Sequence, residues 1–241
     1  MKKVGIIIPC YNEEKIIKSS ILKIKDFLKR NKEFKYFIVP VNDGSKDRTQ
    51  EILESIKDIH PISYSPNKGK GGAIKEGLKY CFKEMNMDYA IFMDADLSTN
   101  LNALPMCLDY LEQSYKFVIT SRHDKDSVIE ARQPLNRRFI SRCSRIIIGS
   151  MFHFKVKDTQ CGFKGFSKDF GLELLRKSRI NGFSFDVEFL YIAKLNHYRY
   201  VSFPVIWSHE DDSKVSGLKT SFRFFKDLFK IKRNKKYYRN K

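Results

Sequence analysis

Two carboxylates one residue apart, Asp94 and Asp96, close a short apolar run, Tyr89–Met93. The run reads as a buried strand, and a strand interior does not hold two carboxylates so close together unless something neutralises them. At the strand's C-terminal end they can project into a crevice and hold a divalent cation through oxygen ligands. Exposed turns also carry such tripeptides. This one gains weight from the tracts at 4–14 and 41–49, which set further carboxylates, Glu13 and Asp43, behind apolar runs of their own.

The elements that position these groups are legible in the first half of the chain. Residues 4–8 are continuously apolar, as in a strand buried on both faces. Asn12 is placed to cap a helix over 13–30, with Ile16, Ile17, Ile21, Ile24 and Leu28 on one face. A strand at 36–41, a helix at 47–57, a short strand at 61–65 and a helix at 70–85 follow. The strand Tyr89–Met93, a helix at 101–113 and a strand at Phe117–Ser121 complete the alternation. Such a pattern predicts an α/β fold with a mainly parallel, Rossmann-like sheet and flanking helices, whose ligands lie at the strands' C-terminal ends. Glu13, Asp43, Asp94 and Asp96 would then meet at one edge of the sheet. Like charges so placed need a cation or hydrogen-bond donors between them. One division of labour satisfies all four: Asp94 and Asp96 bind Mg2+ or Mn2+, directly or through water, and the metal bridges the two phosphates of a nucleotide-sugar. Asp43 accepts a hydrogen bond from the base, and Tyr11 packs beside it. The metal's chemistry is Lewis-acid stabilisation of a departing nucleoside diphosphate.

Asn67-Lys68-Gly69-Lys70-Gly71-Gly72 precedes a helix. Glycines allow close backbone approach, and a helix N-terminus with lysines favours anions. The spacing differs from that of a P-loop. Lys70 is the candidate for a phosphate or sugar contact.

Beyond residue 121 the alternation stops. A polar loop at 122–133, an amphipathic helix at 134–152 and an irregular strand at 156–166 are expected. Helices at Lys168–Lys177 and 186–195, a strand at 198–205 and a terminal helix at 219–233 follow. No linker or repeat interrupts the chain. Residues 1–217 read as one domain and 218–241 as a basic amphipathic helix and tail.

The net charge is +18, and residues 219–241 carry half of it, with ten Lys or Arg against Asp227 alone. Such a block suits an anionic partner. No nucleic-acid motif is present, and the charge lies on amphipathic patterns rich in Phe, so an acidic membrane surface is expected as the partner and nucleic acid is not. The stretch 132–145 repeats the theme, with Arg132, Arg137, Arg138, Arg142 and Arg145 around Leu135, Phe139, Ile140, Cys143, Ile146 and Ile147. No run approaches the roughly 20 apolar residues of a membrane span. The first strand begins too early to be a signal segment, so a cytoplasmic protein, peripheral on the cytosolic membrane face, is expected. Five widely spaced cysteines without C-x-x-C read as reduced thiols, mostly packing residues. The five histidines show no ligand spacing.

Taken together, Pro9-Cys10-Tyr11-Asn12-Glu13, Val41-Asn42-Asp43-Gly44-Ser45, Asn67-Lys68-Gly69-Lys70-Gly71 and Asp94-Ala95-Asp96-Leu97 resemble the family 2 glycosyltransferases of GT-A fold. Ser121-Arg122, the tract from Asp158 to Lys164, Phe185-Asp186-Val187-Glu188 and Asp212-Ser213-Lys214 resemble the polyprenyl-phosphate sugar transferases, and within them the dolichyl-phosphate glucose synthases. The resemblance covers roughly residues 4–230. It implies an inverting, metal-dependent transfer of a hexose, glucose from UDP-glucose, to a dolichyl or polyprenyl phosphate. It places Pro9, Tyr11, Glu13, Val41, Asp43, Lys70, Asp94, Ala95 and Lys214 along the donor, and Asp96, Asp158, Arg122 and Arg138 at the reaction centre. Arg122 and Arg138 resemble the pair that grips the acceptor phosphate, a task suited to a planar guanidinium. Lys214 resembles a phosphate-contacting lysine on a loop that closes over the donor. Asn42 departs from the family pattern, where a first Asp is common, and this leaves UDP-glucose and GDP-mannose both open. The family's membrane helices have no counterpart in this sequence, so a basic surface or a membrane-anchored partner subunit must bring the chain to a lipid acceptor.

A phosphate monoester is already anionic near neutral pH and needs no general base. Asp158 would be the base for a hydroxyl acceptor, such as a growing glycan. For a phosphate acceptor it would orient Lys or Arg side chains, or the metal.

Overall fold

The computed structural model describes residues 1–130, 135–208 and 217–240; in the helices that begin at 135 and 217 it describes side chains from 140 and 223 onward. Strands β1 (Lys3–Cys10), β2 (Lys35–Asp43), β3 (Ile62–Tyr64) and β4 (Tyr89–Met93) lie side by side in the order β3-β2-β1-β4, all parallel. Alternate residues of β1 serve opposite faces, as the two-residue period of a strand requires. Ile6 and Ile8 pack with Ile17, Ile21 and Ile24 of α1 (Ile17–Arg30), Leu53 of α2 (Thr49–Glu54) and Leu104 and Leu108 of α4 (Ala103–Glu112). Ile7 faces the other way, onto Ala73, Ile74 and Leu78 of α3 (Lys70–Lys79). Burial on both faces explains why β1 is apolar without interruption.

The remaining strands extend the sheet in the order β4-β7-β5-β8, with β5 at Phe117–Ser121, β7 at Phe163–Ser167 and β8 at Tyr200–Pro204. β8 is parallel to β5, but β7 runs antiparallel to both its neighbours. This reversal brings the start of β7 to the edge where the parallel strands end, and Asp94 donates its N–H to the Gly162 carbonyl at 3.0 Å. The motif tract of the second half is thereby laid against the carboxylates of the first.

Four local expectations are corrected. Asn12 caps no helix: it sits at φ 55, donates its N–H to Ser45 Oγ at 2.9 Å and accepts from Lys46 N–H at 2.7 Å. An Asn tolerates that left-handed conformation and here finds tertiary partners, stapling the loop after β1 to the loop after β2. The helix starts later, with Ile16 at its N-cap. The polar loop at 122–133 contains β6 (Val128–Ile129), which pairs in parallel with β9 (Ile206–Trp207) in a separate two-stranded ribbon. The strand expected at 156–166 shortens to β7, with loop before it, and the helix at 70–85 passes into a π-helical turn at Tyr80–Glu84.

Helices α5 (Leu135–Phe152), α6 (Lys168–Lys177), α7 (Phe185–Leu195), α8 (Gly217–Arg233) and α9 (Lys235–Tyr238) follow the strand order around this second half. Ile148, Phe152, Phe224, Leu228, Ile231 and Tyr238 join the same core cluster as Phe92, Phe166 and Phe189. The inner faces of α5, α8 and α9 therefore pack within a single domain. Their outer faces leave Ile140, Ile146 and Phe229 exposed, the last at 69%. No helix among the described residues is long and apolar enough to cross a membrane. The five cysteines are free, four of them buried, and burial pushes the Cys81 thiol up to about 12.

Candidate active site

The C-terminal ends of β1 and β2 bring Pro9 level with Val41 and Cys10 level with Asn42. Asn42 turns inward, donating to Gln50 Oε1 at 2.8 Å and accepting from Ser45 N–H at 3.0 Å, which shapes the turn after β2. Asp43 is buried, and its carboxylate accepts N–H bonds from Lys68 at 2.7 Å and Gly69 at 2.9 Å. Its carbonyl accepts from the Asn67 side-chain amide at 2.8 Å. Asp43 thus fixes the glycine-rich loop at the sheet edge. Gly69 has φ 87, and a Cβ there would stand 2.7 Å from the Asn181 carbonyl, so both the backbone conformation and the space call for glycine. Tyr11 is 39% exposed on the same edge. Glu13 receives Ile16 and Ile17 N–H on its carbonyl and donates its own N–H to Thr49 Oγ1 at 2.8 Å.

The loop delivers Lys70 to the end of β4, where its ammonium lies 2.6 Å from Asp94 Oδ1. Burial opposes that charge, but Asp94, with Asp186 and Asp96 behind it, outweighs burial and raises the Lys70 pKa. Asp96 folds back to accept Ser98 N–H at 3.0 Å, and Ala95 between the two is buried. Among the described residues no three side chains of metal-ligating type gather in one group, so the carboxylates expected at one point are distributed. Asp43 braces the loop, Asp94 meets Lys70, and Asp96 turns back to its own strand end.

A second ion pair lies beneath the first. Lys164 of β7 is 1% exposed, 2.6 Å from Asp186 Oδ1 at the start of α7, and donates to the Cys161 carbonyl at 2.5 Å. Burial pushes the Asp186 pKa up to about 6; Lys164 and Lys70 pull it down and Asp94 pushes it up. Gly162 supplies the space beside Asp94: a Cβ there would fall 2.0 Å from Asp94 Oδ2. Gly162, Lys164 and Asp186 stand in the sequence only as parts of motif tracts, with no role of their own assigned by pattern. The available signals were a lysine between the phenylalanines of β7 and two carboxylates, Asp186 and Glu188, in the first turn of the largely apolar α7.

At the far side of the edge Arg122 follows directly on the end of β5. Its Nε and a terminal guanidinium nitrogen reach the two oxygens of Asp158 at 2.7 and 3.0 Å. The backbone N–H groups of Arg122 and Gln160 add bonds to the same carboxylate, both at 3.1 Å. Burial alone would raise the Asp158 pKa; the Arg122 guanidinium overcomes it and holds the carboxyl well below the usual range. The other face of Arg122 lies 5.5 Å from the Trp207 ring centroid. The neighbouring His123 has its pKa lowered by burial first, with Arg145 and Arg122 adding to it against Asp158. The Arg138 side chain and Lys214 lie outside the described residues. The structure therefore joins Lys70 to Asp94 and Arg122 to Asp158, and leaves the Arg122–Arg138 pairing undescribed.

Asp94 and Asp96 at one strand end are the donor set of a Mg2+ or Mn2+ ion held by one or two carboxylates and completed by substrate phosphates; among the described residues no all-protein cage surrounds them. Asp94 is only partly buried, with its side chain 27% exposed, which leaves it open to such a ligand.

In an open α/β sheet ligands bind at the carboxyl ends of the strands, the edge where this chain sets carboxylates, a glycine-rich loop and a fixed arginine. The chain matches the family described as glycosyl transferase family 2 over residues 5–172, and it belongs to that family. It is 29% identical to the dolichyl-phosphate beta-glucosyltransferase of Dictyostelium discoideum, over 95% of this chain and 73% of that one. It is 30% identical to a dolichyl-phosphate beta-glucosyltransferase of Trichomonas vaginalis, over 88% of this chain and 66% of that one. In shape it is similar to glucosyl-3-phosphoglycerate synthase from Mycobacterium tuberculosis, crystallised with Mn2+, uridine diphosphate and glucosyl-3-phosphoglycerate. The TM-score is 0.71 at 15% identity, covering 95% of this chain and 80% of that one. The fold is GT-A.

Proposed function

We propose that this glycosyltransferase moves glucose from UDP-glucose onto a dolichyl or polyprenyl phosphate, with inversion, at the cytosolic face of an anionic membrane. The names of the curated relatives support the acceptor and the sugar. The observation that carries the reading is the state of Asp158. Its two oxygens receive four hydrogen bonds, two from the Arg122 side chain, and its pKa is held low. A carboxylate so engaged is a poor general base. It suits an acceptor that arrives already anionic, for which positioning and charge stabilisation suffice.

In this reading Tyr11 and Asp43 lie at the nucleoside end of the donor, with Pro9, Glu13 and Val41 forming the edge around it. Asp94 and Asp96 would hold Mg2+ or Mn2+, whose chemistry is Lewis-acid stabilisation of the departing diphosphate. The fold neighbour crystallised with Mn2+ and uridine diphosphate supports a divalent ion and a uridine donor. Lys70 adds a cation to the diphosphate, and Lys214, which lies outside the described residues, would be a second. Arg122, oriented by Asp158, binds the acceptor phosphate together with Arg138. An acceptor oxygen then attacks the anomeric carbon from the face opposite the leaving UDP. The exposed apolar residues of α5 and α8, Ile140, Ile146 and Phe229, sit among basic side chains and would meet acidic lipid. A membrane-anchored partner subunit would serve the same end.

Incubation with radiolabelled UDP-glucose, or GDP-mannose in parallel, and polyprenyl phosphate in detergent with Mn2+ tests the proposal. Label in the lipid phase from UDP-glucose is the expected result. Label from GDP-mannose alone would replace the donor, and donor hydrolysis without lipid product would remove the lipid acceptor.

A further inference from the structure

A cavity of about 350 Å3 opens beside Lys70, bounded by the glycine-rich loop, the turn before α7 and the stretch 223–227 of α8. Asn67 and Lys70 line one side, Phe183 and Ser184 another, and Arg223 and Asp227 the third. The Lys70 side chain leads out of it to Asp94, 2.6 Å away. Arg223 and Asp227 stand one helical turn apart, the spacing at which oppositely charged side chains meet. Yet neither enters an ion pair among the described residues. The Asp227 carboxylate lies close to Gly182, where an added Cβ would stand 3.6 Å from Oδ2.

We infer that this cavity seats the hexose ring of the donor, and that Arg223 and Asp227 bind its hydroxyls and set which hexose is accepted. The inference rests on the glycosyl-transfer reading above and extends it to α8, which none of the sequence motifs includes. Position is the first argument. Lys70 belongs to both the cavity wall and the Asp94 centre where the diphosphate is placed, and the sugar is the group bonded to that diphosphate. Chemistry is the second. A carboxylate accepts and a guanidinium donates, so together they satisfy neighbouring hydroxyls, and the half-exposed Phe183 offers a ring face to the sugar's C–H groups. An isoprenoid chain fits less well, since it would bury Arg223 and Asp227 without partners. The size is the third argument. The volume lies at the small end of the roughly 300–1,000 Å3 typical of ligand pockets, which suits one ring.

Asp227→Asn and Arg223→Gln test the assignment in the full chain, with hexose transfer measured for UDP-glucose and UDP-galactose and inhibition measured for UDP. Arg223 is exposed, so its variant folds, and the melting temperature checks both. The expected result is a loss of about tenfold in kcat/KM for UDP-glucose, as for removal of a charged hydrogen-bonding partner. The inhibition constant of UDP stays unchanged and the preference for glucose over galactose narrows. Equal loss for UDP and UDP-glucose, or no loss in either variant, would overturn the inference while leaving glycosyl transfer in place. Failure of the unaltered chain to turn over any nucleotide-hexose would overturn both.

Discussion

Arg122 and Asp158 form a two-pronged ion pair at 2.7 and 3.0 Å, with the carboxylate 1% exposed and closed in by two further backbone N–H groups. In this pair Asp158 holds the arginine in place and has little capacity left to accept a proton.

Asp158→Asn should therefore act through Arg122. Removing one partner of a buried pair costs about 3–5 kcal/mol, because the other charge is left uncompensated. Urea unfolding checks this. The Asp158 carboxyl titrates lower in the folded chain than its ordinary value of about 3.9. Its contribution to stability is complete above that pH and is lost as pH falls through the folded value. The variant should lack this part of the acid destabilisation. In kinetics, KM for the acceptor should rise more than kcat falls.

Asp186 titrates at about 6, next to Lys164 and within the field of Lys70 and Asp94. Its folded pKa is raised, so its stabilising contribution is present below about pH 4 and is lost as pH rises through about 6. Protonation also removes a negative charge from the donor's surroundings. Affinity for UDP-glucose, whose phosphates do not titrate in this range, should rise as pH falls through about 6. Asp186→Asn should bind tightly with that pH dependence gone, and titration calorimetry from pH 5 to 8 checks it.

Gly162→Ala sets a methyl group 2.0 Å from the Asp94 carboxylate. The overpacking should cost about 1–3 kcal/mol of stability. The specific effect is displacement of Asp94, so Mn2+-dependent donor binding should fall about tenfold or more. Donor binding equal to that of the unaltered chain would show that the Asp94 position is not critical.

The two faces of the C-terminal helices should separate in experiment. Tyr238 donates to the buried Glu188 at 2.6 Å, and Glu188 also accepts Arg179 and Ile180 N–H. Tyr238→Phe should lower stability by about 1–3 kcal/mol, the cost of an unsatisfied buried group. Phe229, Lys230 and Arg233 are exposed. Changing the two cations to Ala should leave stability unaltered and weaken binding to acidic vesicles by about 1 kcal/mol per charge. Co-sedimentation with vesicles of mixed neutral and acidic lipid measures it.

The parallel half of the sheet was legible because strands buried on both faces are continuously apolar, and the helices between them carry periodic stripes. Tyr89–Met93 and Phe117–Ser121 fall where the sequence placed them. The antiparallel insertion of β7 between β4 and β5 was not legible, since hydrophobic pattern marks a strand without naming its neighbours. The ribbon of Val128–Ile129 with Ile206–Trp207 has too few residues to show a period. Lys70 and Asp94 were both singled out, but their contact depends on a loop fixed by the Asp43 carboxylate, a tertiary feature. Lys164 and Asp186 each stand out inside an apolar element, but their pairing is tertiary and was not legible.

The most direct measurement compares polyprenyl phosphate with the matching polyprenol as acceptors, using labelled UDP-glucose, Mn2+ and vesicles containing acidic lipid. An acceptor that must supply its own anion gives a clear expectation: glucose transfer to the phosphate and none above background to the alcohol. Comparable transfer to the alcohol would contradict it, and would return Asp158 to the part of a base.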